Sequence, residues 1–235
     1  MTKLDFESII NPFIDEKFKE GSVKITRTSL YTYGIRTPIL RQLAKDLYKN
    51  RPDYRDYFFS LSECSFEEIL LLGMQFTHYT DYQRLLSDLK MLIPRFDSWA
   101  HTDQIIADFK CVKSYADYLD YFSYLKDGTE FEKRSYVIML LKCCYAKSAA
   151  NILTKNIFSE LLTVPSGEYY VDMAIAWTLA ELFAKDYSYM KSCVEDLASF
   201  SPFILKKAAQ KCRDSYRITP EEKIEITNIV KSITK

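Results

Sequence analysis

Phe96-Asp97-Ser98-Trp99-Ala100-His101-Thr102-Asp103 is the stretch from which the fold of this chain is read. Asp97 and Ser98 both carry a side-chain oxygen suited to capping a helix N-terminus, so a helix is expected to open at Trp99 and to run over residues 99–109. Trp99 and Asp103 then stand at i and i+4 on one helical face, which Ile106 extends. A carboxylate beside an indole on a partly apolar face is unusual, because Asp is rarely buried without a partner. The residues leave two readings open. Asp103 is either a structural acid held by an arginine or part of a face bordering a cleft where charge is used.

Working outward, the same kind of start recurs. Ser65-Phe66-Glu67-Glu68 is a capping box opening a helix over 66–77, and 82–93 returns as the second arm of a hairpin. After residue 99 come helical patterns over 115–125, 130–145, 149–162, 169–185, 189–199 and 203–215. Asp127-Gly128-Thr129 and Val164-Pro165-Ser166-Gly167 are turns, and Thr219-Pro220-Glu221-Glu222 starts a last helix. Toward the N-terminus, Thr37-Pro38 opens a helix whose apolar stripe is Leu40, Leu43, Ala44 and Leu47, with Arg41 and Lys45 together on another face. A short helix follows over 54–59. Residues 4–18 read as a first helix broken near Pro12. Residues 20–29 combine a Glu-Gly-Ser breaker with β-branched and hydroxyl residues and are expected to be an extended or irregular connection. Leading helices thus begin near residues 38, 66, 99, 130, 169 and 202. A recurrence of roughly 33–40 residues marks helix-pair repeats. The expected fold is all-α, a single HEAT-like repeat α-solenoid over 1–235, a curved stack whose leading helices line the concave surface.

Composition narrows the function. The chain is 48% hydrophobic and 27% charged, with only 5 glycines, and its 32 basic and 32 acidic residues cancel. Zero net charge argues against nucleic-acid binding by bulk charge but leaves room for a local basic face. No apolar run approaches the roughly 20 residues of a membrane span, and the first 20 residues carry acids throughout, so a cytoplasmic protein without a membrane is expected. The six cysteines form no Cys-x-x-Cys, and His78 and His101 lie far from any metal-ligand spacing, so reduced buried thiols and no metal are expected. Phosphate-binding glycine loops and the Gly-x-Ser-x-Gly elbow are missing from the sequence.

If leading helices line one surface, Trp99, Asp103, Arg134, Trp177, Lys207 and Lys211 gather there from consecutive repeats. Each also has an ordinary reading. Trp177 lies in an Ala-rich row (Ala176, Ala180, Ala184) that suits close packing, Arg134 suits capping a neighbouring helix, and Lys206, Lys207, Lys211, Arg213 and Arg217 suit a solvated face. A basic groove with embedded aromatics fits a phosphate backbone, with cations on phosphates and Trp against sugar or base.

The chain resembles the AlkD family of HEAT-like repeat DNA glycosylases. The resemblance rests on Tyr33-Gly34-Ile35-Arg36-Thr37-Pro38-Ile39-Leu40-Arg41, on Asp97-Ser98-Trp99 with Asp103, and on Phe131-Glu132-Lys133-Arg134. It continues through the run from Ala174 to Lys185 around Trp177, and through Phe200-Ser201-Pro202 to Lys206, Lys207, Lys211, Asp214 and Ser215. What it implies is excision of cationic N3- and N7-alkylated purines from double-stranded DNA, without metal or other cofactor; a monomer is expected because solenoids with complete polar caps are often monomeric. By that resemblance Trp99 and Trp177 flank the deoxyribose, Asp103 stabilises the developing sugar cation and orients water, and Arg134 holds a phosphate. Arg36, Arg41, Lys206, Lys207, Lys211 and Arg213 are the candidate DNA contacts.

Three departures from the family pattern shape the expectation. The segment 20–29 stands where the family has a helix that reaches the minor groove. Arg36 replaces a Gln, and Met173 and Ala180 stand where the prototype has Lys and Arg. The chain is also neutral. Together these describe a divergent paralogue without the inserting helix, weak in DNA binding and in base excision. An active N-glycosylase and a HEAT-type protein-interaction scaffold are the alternatives.

Overall fold

A computed structural model of the chain describes residues 1–106, 109–112, 115–145 and 150–234, and every regular element among them is helical. The chain divides into two compact units, Met1–Lys113 and Ser114–Lys235. No helix among the described residues is long and apolar enough to cross a membrane.

The first unit opens with α1 (Lys3–Ile10), started by a Thr2–Asp5 capping box and ended by a 3-10 turn at Pro12, where a break was expected. The next element is a correction. Residues expected to form an irregular connection belong to α2 (Glu16–Thr26), so a helix occupies the place from which it was expected to be missing. Asp15 caps its start through a 2.9 Å bond from the Phe18 N–H, and Arg27 ends it in the left-handed region at φ 53°. Local propensity disfavours this helix, since Gly21, Ser22, Val23, Ile25 and Thr26 are all weaker helix formers than Ala. What overrides it is remote: the carbonyls of Ile25 and Thr26 accept hydrogen bonds from Trp99 and Ser98. Helix ends leave such carbonyls without intrahelical partners.

Then follow α3 (Thr37–Asn50), α4 (Tyr54–Ser60), α5 (Phe66–Gln75), α6 (Tyr82–Leu92) and α7 (Trp99–Ile105). α3 packs on α5, and α5 on α7. Leu40, Leu43, Ala44 and Leu47 are buried as their stripe predicts. The Ser65–Glu68 capping box is formed in both directions, at 3.2 and 2.7 Å. α7 is shorter than expected. Ile106 leaves the helix with extended backbone and is fully buried, and the expected continuation over 107–108 lies outside the described residues.

The connection into α3 is gripped by a buried acid. Glu67, 1% exposed, accepts from the backbone N–H groups of Tyr33, Gly34 and Ile35 at 2.9, 2.7 and 3.2 Å. Burial still raises its carboxyl pKa above the ordinary value, against the effect of those bonds. Gly34 is required twice over. Its φ is +90°, and a Cβ there would lie 2.6 Å from the Lys19 Cβ and 2.7 Å from the Asp15 carbonyl oxygen. The absence of a side chain is what lets α2 lie against this connection.

The second unit contains α8 (Tyr115–Phe122), α9 (Glu130–Cys143), α10 (Ala150–Leu161), α11 (Tyr169–Lys185), α12 (Tyr187–Ser192), α13 (Val194–Leu197), α14 (Pro202–Asp214) and α15 (Pro220–Ile233). α11 is its centre, packed on both α9 and α14, and the small side chains of Ala176 and Ala180 are buried on it. The single helix expected over 189–199 is two short ones, interrupted at Cys193. The expected helix start at residue 149 lies outside the described residues. α3, α5, α7, α9, α11 and α14 begin at or next to the six expected leading positions.

Candidate catalytic carboxylate and nucleic-acid interface

In the first unit the candidate residues sit on α7 and on what α7 holds. Ser98 is its N-cap, accepting from the Ala100 N–H at 3.2 Å while its hydroxyl donates to the Thr26 carbonyl at 2.7 Å. Asp97, expected to share the capping, faces the other way. Its carboxylate accepts from the Thr28 hydroxyl (2.8 Å), the Ser29 N–H (2.7 Å), the Ser29 hydroxyl (3.0 Å) and the Leu30 N–H (3.3 Å). The Trp99 indole N–H donates to the Ile25 carbonyl at 3.2 Å. Three successive side chains thus fix the end of α2 and residues 28–30 beyond it, and α2 in turn fixes the Trp99 ring.

His101, fully buried, lies behind this face. Its Nε2 is 3.2 Å from the Phe66 carbonyl, and its Nδ1 accepts from the Asp97 N–H at 3.4 Å, which assigns the proton to Nε2. Burial pushes its pKa down to about 4, against the pull of the nearby Asp97 carboxylate. His101 is therefore a neutral core link between α5 and α7.

Asp103 lies one turn beyond Trp99 and both are partly exposed. The Thr102 hydroxyl is 2.9 Å from Asp103 Oδ1 and 2.8 Å from the Trp99 carbonyl. Beside Trp99 a cleft of 520 Å³ opens, walled by Phe18 and Ile25 of α2, Leu40 of α3, Phe66 of α5 and Gln104 of α7. Arg36 stands at its rim, paired with Asp15 at 2.9 Å and lying 4.8 Å over the Phe18 ring. The Phe18 N–H and then Arg36 hold the Asp15 carboxyl below its ordinary pKa. Arg41 reaches from α3 to the Gln104 side chain at 2.9 Å, next to Asp103 in sequence.

In the second unit Trp177 is partly exposed on α11, and Lys211 of α14 places its ammonium 5.5 Å from the centre of the indole. Lys207 lies 6.0 Å from the Phe203 ring, and Lys206 and Arg213 are exposed on the same helix. Arg217 is committed to a close ion pair with Glu181. Arg134 is buried, at 5% exposure, and its guanidinium donates to the Tyr170 carbonyl at 2.6 Å. Glu130, one turn earlier, accepts from the Tyr170 N–H at 2.8 Å, so both peptide groups of Tyr170 are gripped from α9. Trp99 and Asp103 belong to one unit, and Trp177, Arg134 and the α14 cations belong to the other.

The capture of distant backbone by Asp97 and Glu67 is not legible in the sequence, where Asp97 reads as a cap and Glu67 as part of a capping box. Both sit in capping positions, and nothing local distinguishes an acid that caps its own helix from one that captures a distant loop. No group of three or more His, Cys, Asp or Glu among the described residues is placed to hold a metal ion, and the six cysteines are free thiols. What α7 offers is a partly exposed carboxylate beside a fixed aromatic wall. Asp103 is not among the residues that line the cleft beside Trp99; a carboxylate close to a sugar is the kind of group that can stabilise a developing glycosyl cation electrostatically.

No curated protein and no solved structure matches the chain. The family model described as DNA alkylation repair enzyme matches residues 7–212, nearly the whole sequence. With that match the resemblance read from the Trp99–Asp103 and Trp177 motifs becomes membership: the chain belongs to the DNA alkylation repair enzyme family.

Proposed function

We propose that this protein binds duplex DNA and hydrolyses the N-glycosidic bond of cationic N3- and N7-alkylated purines. On this reading the helix pairs stack as a HEAT-like solenoid whose concave face takes the DNA, and the protein works as a cytoplasmic monomer. Trp99 and Trp177 flank the sugar of the lesion. Asp103 stabilises positive charge on C1′ as the base departs and directs a water to it. The leaving base already carries its positive charge, so departure yields a neutral purine and needs no protonated side chain. Arg36, Arg41, Lys206, Lys207, Lys211 and Arg213 hold phosphates.

The observation that carries this reading is α2. Residues 16–26, ahead of the Gly34–Pro38 motif where a helix was expected to be missing, are helical, and the end of that helix is fixed by Ser98 and Trp99, which supports a family member that keeps this element. A second reading, a family member that binds weakly and excises little, draws on Arg134, whose burial and bond to Tyr170 give it a structural occupation. Release of free base from duplex DNA carrying N7-methylguanine distinguishes them. The expected result is release well above the spontaneous rate, reduced about 10²–10³-fold in Asp103→Asn, the loss typical of removing one electrostatic stabiliser. Release no faster than in the absence of protein, at concentrations saturating DNA binding, would favour the weak reading. A protein that binds no duplex at all would return attention to an interaction scaffold.

A further inference from the structure

From Arg41 onward the first unit carries a concentration of positive charge that extends beyond these residues. Arg41, Lys45 and Lys49 follow one another at i, i+4 and i+8 on α3, a stripe rising about 12 Å. Arg41 and Lys45 line a cleft of 320 Å³ closed on its far side by Met74, Thr77 and His78. His78 is held in place by Tyr48, whose ring stacks on the imidazole at 5.3 Å and whose hydroxyl donates to the His78 carbonyl at 3.3 Å. The field at the imidazole is cationic. Burial lowers the His78 pKa first, and Lys110, Lys45 and Lys49 push it the same way.

Lys45, Lys49 and Lys110 are exposed and make no ion pair among the described residues. The acid nearest along α3, Asp46, is engaged by the Gln42 amide at 2.9 Å. Lys45 and Lys49 stand one helical turn apart on this face, like charges at that spacing repel one another, and an anion relieves that repulsion. The 12 Å stripe matches the rise of about three to four phosphates on one strand of a duplex.

We infer that the α3 stripe with Lys110 and His78 is a phosphate-binding track for one strand of duplex DNA, continuing from Arg41 away from Asp103. It rests on the reading that the protein binds DNA. The imidazole is the reporter: a phosphate seated in the cleft neutralises the lysines around it and raises its pKa.

The test uses duplex binding by wild type, by Lys45→Ala/Lys49→Ala/Lys110→Ala, and by Lys3→Ala/Lys155→Ala/Lys231→Ala, which removes the same charge from exposed positions elsewhere. Each lysine on a phosphate contributes about one to the slope of log affinity against log salt. The stripe variant is expected to bind about tenfold or more weakly with a slope shallower by about three, and the control variant to bind like wild type. In parallel, NMR titration follows the chain's two histidines. The His78 pKa rises on adding duplex, while the buried His101 serves as the unresponsive reference. Equal affinity and slope in wild type and stripe variant, equal losses in both variants, or an unmoved His78 in the saturated complex would overturn the track and leave DNA binding standing. A wild type that binds no duplex would sink both.

Discussion

α2 and α5 are of similar length, yet they are made in opposite ways. α5 carries its own instructions: a reciprocal Ser65–Glu68 capping box, and ten residues that are all buried. α2 has a single buried residue, a glycine in its middle, and C-terminal carbonyls satisfied by Ser98 and Trp99, more than seventy positions later. One helix is encoded locally and would be recognised in isolation. The other exists because a distant stretch receives it. The same stretch carries Trp99 and Asp103, so α2 and the Trp99 ring are built on one another, one turn from Asp103.

The comparison breaks most violently at Gly34. Gly34→Ala forces an L-residue into φ +90° and drives its Cβ into α2. Backbone strain and overpacking together should cost about 2–4 kcal/mol in chemical denaturation, with loss of α2 helicity preceding that of α5. A smaller effect comes from acid. His101 is neutral in the fold, with a pKa near 4 against an ordinary 6.5, so unfolded chains take up the proton first as pH falls. Its contribution is complete above pH 6.5 and is lost between about 6.5 and 4. The full difference is about 3 kcal/mol at most, read as the excess pH slope of wild type over His101→Gln. Ser98→Ala removes both the α7 cap and the bond to Thr26 and should cost about 1–2 kcal/mol. Ser65→Ala removes half of a capping box and should cost about 1 kcal/mol, without selective loosening of α2. If the two serine variants loosened α2 equally, the contrast between the helices would be wrong.

Most helices were legible because their ends are written in adjacent residues. Thr219-Pro220 and Ser65 each begin a helix as their capping residues predict, and the break at Pro12 follows from proline's missing donor. α2 was not legible, because propensity over 20–26 disfavours it and the compensating donors lie far along the chain. The end of α7 was misjudged for a related reason. Ile106 keeps the apolar periodicity while leaving the helix, since a buried extended residue satisfies the same hydrophobic requirement. Of the candidate site, Trp99, Asp103 and Trp177 are named from motifs alone, and Arg41 and Lys45 are read as a cationic pair on α3. His78 lies outside any periodic pattern and becomes a neighbour of that stripe only through packing. The bond from Arg134 to Tyr170 is likewise a product of how α9 meets α11.

Hydrogen exchange of the α2 amides tests the central claim most directly, comparing wild type with Ser98→Ala/Trp99→Phe. Protection of residues 20–26 in wild type, falling about tenfold or more in the variant while α5 keeps its own, is the predicted result; tenfold corresponds to about 1.4 kcal/mol of local opening. Unprotected α2 amides in wild type, or identical protection in both proteins, would contradict it.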